Sequence, residues 1–339
     1  MSQPKSPQPK SRRLVVICAI GALALLALGG GMLLKNVLPS QAKTEAERQA
    51  MARNIAIVHK AFYTRLDDRA KTHTAADVST YIHASIQNDP ALLAVALDWA
   101  RDNSAGQGDL QNLNPFYFMV YTDLAYLGAQ AFEMQGMRAE YEDLSKAAFA
   151  SLLTFDVLTA TDALRCADKT VRDLRTTLVA PRYQLLDYVF DIMSPEQMDE
   201  LFITILRTES AMGLRAENRE LCAGGAEGKL ALLQHPDAKR TEIDVPETPG
   251  AKRTILVPPE NFKFQPSYIS LDDWLALREP MQNAVRDSWF QRQVNHTNQK
   301  AAELIGEYIK ENPEALNSAA PDAVPAEKSQ TEKPAPKKQ

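Results

Sequence analysis

Glycine is scarce in this chain, 14 of 339 residues, too few for a barrel or propeller that turns on glycine at many corners. Cysteine is scarcer still, three in all, and no two stand in a CxxC pair, which excludes a thioredoxin-type redox motif and a cysteine-built zinc site. The five histidines, His59, His73, His83, His235 and His296, fall at no metal-ligand spacing, and HExxH is missing. P-loop, GxGxxG, Ser-His-Asp and Cys-His arrangements are also missing, so no metal and no cofactor is expected. Clustered cations are lacking in the body of the chain, where 38 Lys and Arg are set against 43 Asp and Glu for a net charge of -5. Phosphate binding needs such clusters, so a nucleic-acid partner is not expected. What is present is ordinary for a globular protein, 45% hydrophobic and 24% charged residues, which excludes wholesale disorder and a polytopic membrane protein.

One long apolar run stands out. Residues 14–34 (LVVICAIGALALLALGGGMLL) carry no charge, and as a helix they would span about 31 Å, the thickness of a bilayer's hydrocarbon core. Lys5, Lys10, Arg12 and Arg13 precede the run in a Pro- and Ser-rich leader, whereas Lys35 alone follows it closely. That asymmetry predicts a cytoplasmic leader over 1–13, a transmembrane anchor over 14–34, and a body on the far side of the membrane, periplasmic in a Gram-negative cell. A cleaved signal peptide is the alternative, with small residues at Ser40 and Ala42, but the run exceeds the usual 7–15 residues. Cys18 reads as an apolar membrane residue. Cys166 and Cys222 remain beyond the anchor, an even number where disulfides persist, and pairing them closes a loop of roughly 57 residues.

Apolar residues recur at helical spacing through the body. Met51, Ile55, Val58, Phe62 and Leu66 lie on one face of a helix that leaves the anchor as a stalk, and the same seam is a candidate for homodimer pairing. Asp89-Pro90, Asn114-Pro115 and Ser194-Pro195 each place a capping residue before a proline at a helix start, and Gln197 completes a capping box with Ser194. Segments near 76–87, 140–165 and 171–193 have the same period and lack the alternating β-branched runs of strands. Residues 44–233 are thus expected to form seven or eight helices in a bundle or short solenoid. The segment from Leu124 through Gly128 to Ala131, with Gly136 and a second helix through Leu144 and Ala147, is similar to a tetratricopeptide helix pair, although Glu140 stands where a small residue would be wanted.

Composition changes after that. Six prolines between His235 and Ser267 bar a long helix, and Thr241–Val245 and Arg253–Val257 flank a turn, so 234–268 reads as a Pro-rich arm holding a β-hairpin. Over 269–312, C-terminal helices are expected to pack on the helical domain. One begins at Ser270 and buries Trp274, Leu275, Met281 and Val285, with a break at Pro280, and a last one runs through Leu304 to Ile309. Residues 313–339 are almost without large apolar side chains and read as a disordered tail.

Chemistry has one candidate. Glu209 falls on the apolar stripe of the helix that starts at Pro195, between Ile205 and Met212, where a carboxylate needs a partner or a raised pKa. Glu209-Ser210, followed by Gly224, Gly225 and Gly228, is similar to the Glu-Ser and Gly-Leu-Met-Gln signatures of lytic transglycosylases, which implies Glu209 as general acid of a cell-wall hydrolase. Lys229 and Leu230 stand where Leu-Met is wanted, and the downstream tyrosine motif is missing. The other reading pairs Glu209 with Arg165, Arg207, Arg215 or Arg219 as a structural carboxylate. Arg165, Arg215 and Arg219, near the two cysteines, are candidates to bind a small anion if their guanidinium groups converge. The leading expectation is an anchored, non-enzymatic scaffold, assembly or binding protein whose partners are the bilayer, through 14–34, and another envelope protein.

Overall fold

The computed structural model describes residues 45–104, 113–244, 252–259 and 262–312, and the predicted leader, anchor and tail lie outside them. Among the described residues no helix is long and apolar enough to cross a membrane. The chain divides into two compact units, Met1–Ser288 and Trp289–Gln339, with the boundary inside the last helix. The described part is mostly α-helical, with a small two-stranded sheet.

Among the described residues of the first unit, the helices before the strands are α1 (Glu45–Thr72), α2 (Ala75–Asn88), α3 (Leu92–Ser104), α4 (Phe116–Met134), α5 (Arg138–Ala163), α6 (Val171–Leu186), α7 (Val189–Ile192), α8 (Pro195–Ala211), α9 (Arg219–Ala223) and α10 (Ala226–Gln234). The expected seven or eight helices become ten because two of these, α7 and α9, are single turns. The segment expected as one helix over 171–193 breaks near Asp187 into α6 and α7. Thr74 and Ser194 each form a full capping box, the latter with Gln197 as its spacing predicts.

Helix α5 is the centre of this unit. From Ser151 to Ala163 every residue but Thr154 is buried, so this half of the helix has no solvent face and its polar side chains must find partners among its neighbours. Toward α4, Thr122 Oγ1 donates to Phe118 O and Ser151 Oγ donates to the same carbonyl. Gly128 allows this approach, since a Cβ there would meet Leu144 Cδ2 at 2.6 Å. Gly136, at φ +72°, turns the chain from α4 into α5, a left-handed conformation that favours glycine. The tetratricopeptide-like segment is thus a helical hairpin. On another side, Asp156 accepts from both Arg175 and Tyr183 of α6, and Tyr188 donates to Ser145.

Helix α1 docks through Phe62 and Leu66, both fully buried, while Ile57 and Val58 upstream are exposed. Tyr63 donates to Asp102 and Trp99 Nε1 to Asp67, tying α1 to α3. Strands β1 (Lys239–Asp244) and β2 (Lys252–Val257) pair antiparallel with Thr241 opposite Ile255, which is the expected hairpin. The chain then returns to the centre. Residues 165–167 and 267–269 pair as a short bridge, through Ala167 N–H to Ser267 O at 2.9 Å and Ile269 N–H to Arg165 O at 2.8 Å. This bridge delivers the start of α11 (Leu271–Glu311), capped by Ser270, whose Oγ accepts from Asp273 N–H.

Two expectations for this region are corrected. Helix α11 runs unbroken through Pro280, so the separate last helix does not exist. Proline removes one backbone hydrogen bond there, and the side-chain contacts made on either side of it by Arg278 and Gln282 hold the helix together. Leu275, expected inside, is 51% exposed, because the inward stripe is Trp274, Arg278, Gln282 and Val285. The second unit, as far as described, is the continuation of α11 from Trp289.

Cys166, just after α5, and Cys222, in α9, are joined by a disulfide with Cα atoms 5.4 Å apart. Closing a loop of this length stabilises by roughly 4 kcal/mol in the chain-entropy treatment. Urea unfolding with and without reductant is expected to differ by about that amount, and a difference below about 1 kcal/mol would show that the bond does not constrain the unfolded chain.

Candidate functional site

Glu209 occupies the last turn of α8 and is 1% exposed. The stripe through Met198, Phe202 and Ile205 turns it inward as the helical period requires, and every partner it meets is a donor. Its Oε1 accepts from Arg215 Nη1, Thr161 Oγ1 and Arg278 Nε, each at 3.1 Å. Oε2 accepts from Arg278 Nε at 3.1 Å and from Gln282 Nε2. Arg278 Nη2 also donates to the Glu209 backbone carbonyl at 2.6 Å, capping the end of α8.

Arg215, 4% exposed, is the other pole of the cluster. Besides Glu209 it donates to the Asp162 carboxylate, to Thr161 Oγ1 at 3.0 Å and to Leu158 O at 3.3 Å. Two carboxylates, Asp162 and Glu209, are thereby set against two guanidinium groups, Arg215 and Arg278, so the buried charge balances. Burial lifts the Asp162 carboxyl above its ordinary range, while Arg215 and Asn218 pull it the other way. Trp274 closes the cluster from α11. Its Nε1 donates to Thr161 O at 2.8 Å, and the guanidinium groups of Arg165 and Arg278 lie 5.4 and 5.1 Å from its ring centroid.

The three arginines proposed to converge have separate duties. Arg215 is enclosed as described. Arg165 donates to Arg215 O at 2.8 Å and to Glu217 at 3.2 Å. Arg219 donates twice to Phe264 O and so ties α9 to the returning chain. Beside it lies a cleft of about 180 Å³ whose lining includes Glu217 and Glu220 as well as Arg219, a mixed surface with no second cationic residue in its lining. Of the four arginines considered as partners for Glu209, the structure brings Arg215 to it.

Asp168, two residues after Cys166, serves a different end. Its Oδ1 accepts from Thr170 N–H at 2.9 Å and from the Thr170 hydroxyl, and its Oδ2 accepts from Glu227 N–H at 2.9 Å. The carboxylate therefore joins the starts of α6 and α10 beside the disulfide. Gly225 makes room for it, since a Cβ there would sit 2.3 Å from Asp168 Oδ2. Burial pushes this carboxyl up, but the hydrogen bonds from Thr170, Glu227 and Ala226 outweigh it and hold the group below its ordinary range.

A separate groove of about 400 Å³ opens between α3, α4 and α5. Leu97, Phe132 and Leu144 form an apolar floor, and Asp98, Glu140 and Asp143 rim it together with Arg101. Arg101 is paired with Asp98 at 3.0 Å and with Asp102 at 3.3 Å.

Sequence reasoning found Glu209 and missed Asp162, Arg278 and Gln282. Arg278 and Gln282 follow Trp274 at spacings of four, which is a legible helical stripe once a polar residue is allowed to face inward. No known protein family matches the chain, and neither a curated protein nor a solved structure matches it.

Two outcomes follow. Arg215→Met leaves Asp162 and Glu209 facing each other with one cation fewer and should cost about 3–5 kcal/mol, read by urea unfolding; a loss below about 1 kcal/mol would mean that the cluster does not hold the fold. Asp168→Asn tests the sign of a lowered pKa. The stabilisation from Asp168 is present above about pH 5, where the unfolded carboxyl is ionised, and is lost as pH falls through the folded value. The stability gap between wild type and Asp168→Asn should therefore narrow between about pH 5 and pH 2, and a gap that widens on acidification would contradict the assignment.

Proposed function

We propose that the chain is a membrane-tethered helical module, carried on the far side of the membrane from its amino terminus, that holds a protein partner and does not turn over a substrate. The observation that carries this reading is the state of Glu209. Its two oxygens accept hydrogen bonds from four side chains and it is 1% exposed, so it is placed to hold α8, α5 and α11 together. A general acid needs an open path to the bond it cleaves.

Several other features support the reading. The uncharged run over 14–34 with cations before it fits a signal anchor, and the Cys166–Cys222 bond fits an oxidising compartment. The surface offers partner-sized features, a hairpin whose described side chains are mostly exposed and the groove between α3, α4 and α5. An isolated two-stranded hairpin is marginal in water, so a partner strand or surface against it would stabilise it.

The test is crosslinking of the full-length protein in its own cells, followed by mild-detergent purification and mass spectrometry. A protein partner recovered in near-equal amount is the expected result. Recovery of the chain alone, together with loss of a cell-wall cleavage activity in Glu209→Gln at unchanged protein level, would overturn the reading in favour of a hydrolase. Orientation is tested on protoplasts or spheroplasts, where external protease should remove the body without detergent; protection of the body would place it in the cytoplasm.

A further inference from the structure

From Val294 to Glu311 the last helix is exposed at every residue except His296 and Ile309, which are half-buried. Eighteen residues of helix this exposed are near the minimum length that is stable in water, and Gly306 in the interior weakens this one further. Its composition is not that of a free solvent helix. Val294, Leu304, Ile305 and Tyr308 are 51, 60, 59 and 60% exposed. Positions 294, 297, 301, 304, 308 and 311 alternate in steps of three and four, which is an a/d heptad seam of Val, Thr, Ala, Leu, Tyr and Glu. Ile305 widens it at an e position.

We infer that this seam pairs with the same helix of a second copy of the chain, in antiparallel orientation, to form a short two-stranded coiled coil. Side-chain volume and charge select both the partner and the direction. In a parallel pair, identical residues meet, so Ala301 faces Ala301 and Tyr308 faces Tyr308, which leaves one layer underfilled and another overfilled. In the antiparallel pair Ala301 lies opposite Leu304 and Thr297 opposite Tyr308, each small residue against a large one. The flanking g positions are Gln293, Lys300 and Glu307. Antiparallel packing sets Lys300 of one copy beside Glu307 of the other, twice by symmetry, whereas the parallel register sets Lys300 against Ile305. A lipid surface fits less well, since between Trp289 and Glu311 Arg292, Lys300 and Lys310 only balance Glu303, Glu307 and Glu311, and an interfacial helix is strongly basic on its polar face.

The inference stands independently of the tether, and its test uses the full-length chain in density-matched detergent, read by sedimentation equilibrium. A reversible dimer is expected within about 200 µM protomer. Leu304→Lys should weaken it at least about 100-fold, with no effect on the helical content of the monomer because Leu304 is exposed there. Glu307→Lys alone should weaken it on the order of tenfold, and the exchange Lys300→Glu with Glu307→Lys should restore it to within about threefold of wild type. Lys300 and Glu307 are two turns apart on one helix, too far for an ion pair within a chain, so rescue requires the second copy. Val58→Lys on the exposed face of α1 should leave the dimer unchanged. A protein monomeric throughout this range, a dimer indifferent to Leu304→Lys, a dimer lost with Val58→Lys, or a charge exchange that fails to rescue would each overturn the inference.

Discussion

The burial of the second half of helix α5 on all sides is the constraint from which most of the structure follows. A helix with no face to water satisfies its own backbone, but every polar side chain on it becomes a demand on a neighbour. The demands are numerous here, from Ser145, Ser151, Asp156, Thr159, Thr161 and Asp162. Helix α4 supplies a carbonyl to Ser151, α6 supplies Arg175 and Tyr183 to Asp156, and the chain after α8 supplies Arg215 to Asp162. The order of elements around α5 is in this sense an order of donors and acceptors, laid over the packing of its apolar residues.

The end of α5 carries the greatest load. The six residues from Thr161 to Cys166, at and just past that end, offer Asp162 to Arg215, the Thr161 carbonyl to Trp274, and Cys166 to the bond with Cys222. Arg215 brings in Glu209, and Glu209 brings in Arg278 and Gln282 from α11, more than a hundred residues after α5 in the chain. Breaking a single pair in such a cluster leaves a charge without compensation, which is why buried ionic groups of this kind are costly to alter even where they add little net stability. The disulfide and the bridge between 165–167 and 267–269 close the same region covalently and through the backbone.

How much of this was legible depends on the range of the signal. Local rules located what is local. The Ser194–Gln197 box, the Ser270 cap and the hairpin strands stand where their residues predict, because caps and turn-flanked β-branched runs act over a few positions. The inward placement of Glu209 was legible from its stripe, and Arg215 from its nearness in sequence. Arg278 and Gln282 were not, since their partner lies 69 and 73 residues away and an apolar reading of α11 placed Leu275 inside instead. The unbroken passage of α11 through Pro280 was likewise invisible, because it depends on those same tertiary contacts overriding a local preference.

A cluster that holds three segments together, and a surface that offers a groove, a hairpin and an exposed helix, are the features on which the proposed binding role rests. The claim at the centre is that Glu209 is spent on structure. It is tested most directly by a double-mutant cycle in urea unfolding with Glu209→Gln, Arg278→Met and the two combined, on the full chain at neutral pH. A coupling of about 1–3 kcal/mol between the two sites is the result expected of directly bonded partners. Effects that add within about 0.5 kcal/mol would contradict a structural role for this carboxylate and reopen the case for its chemistry.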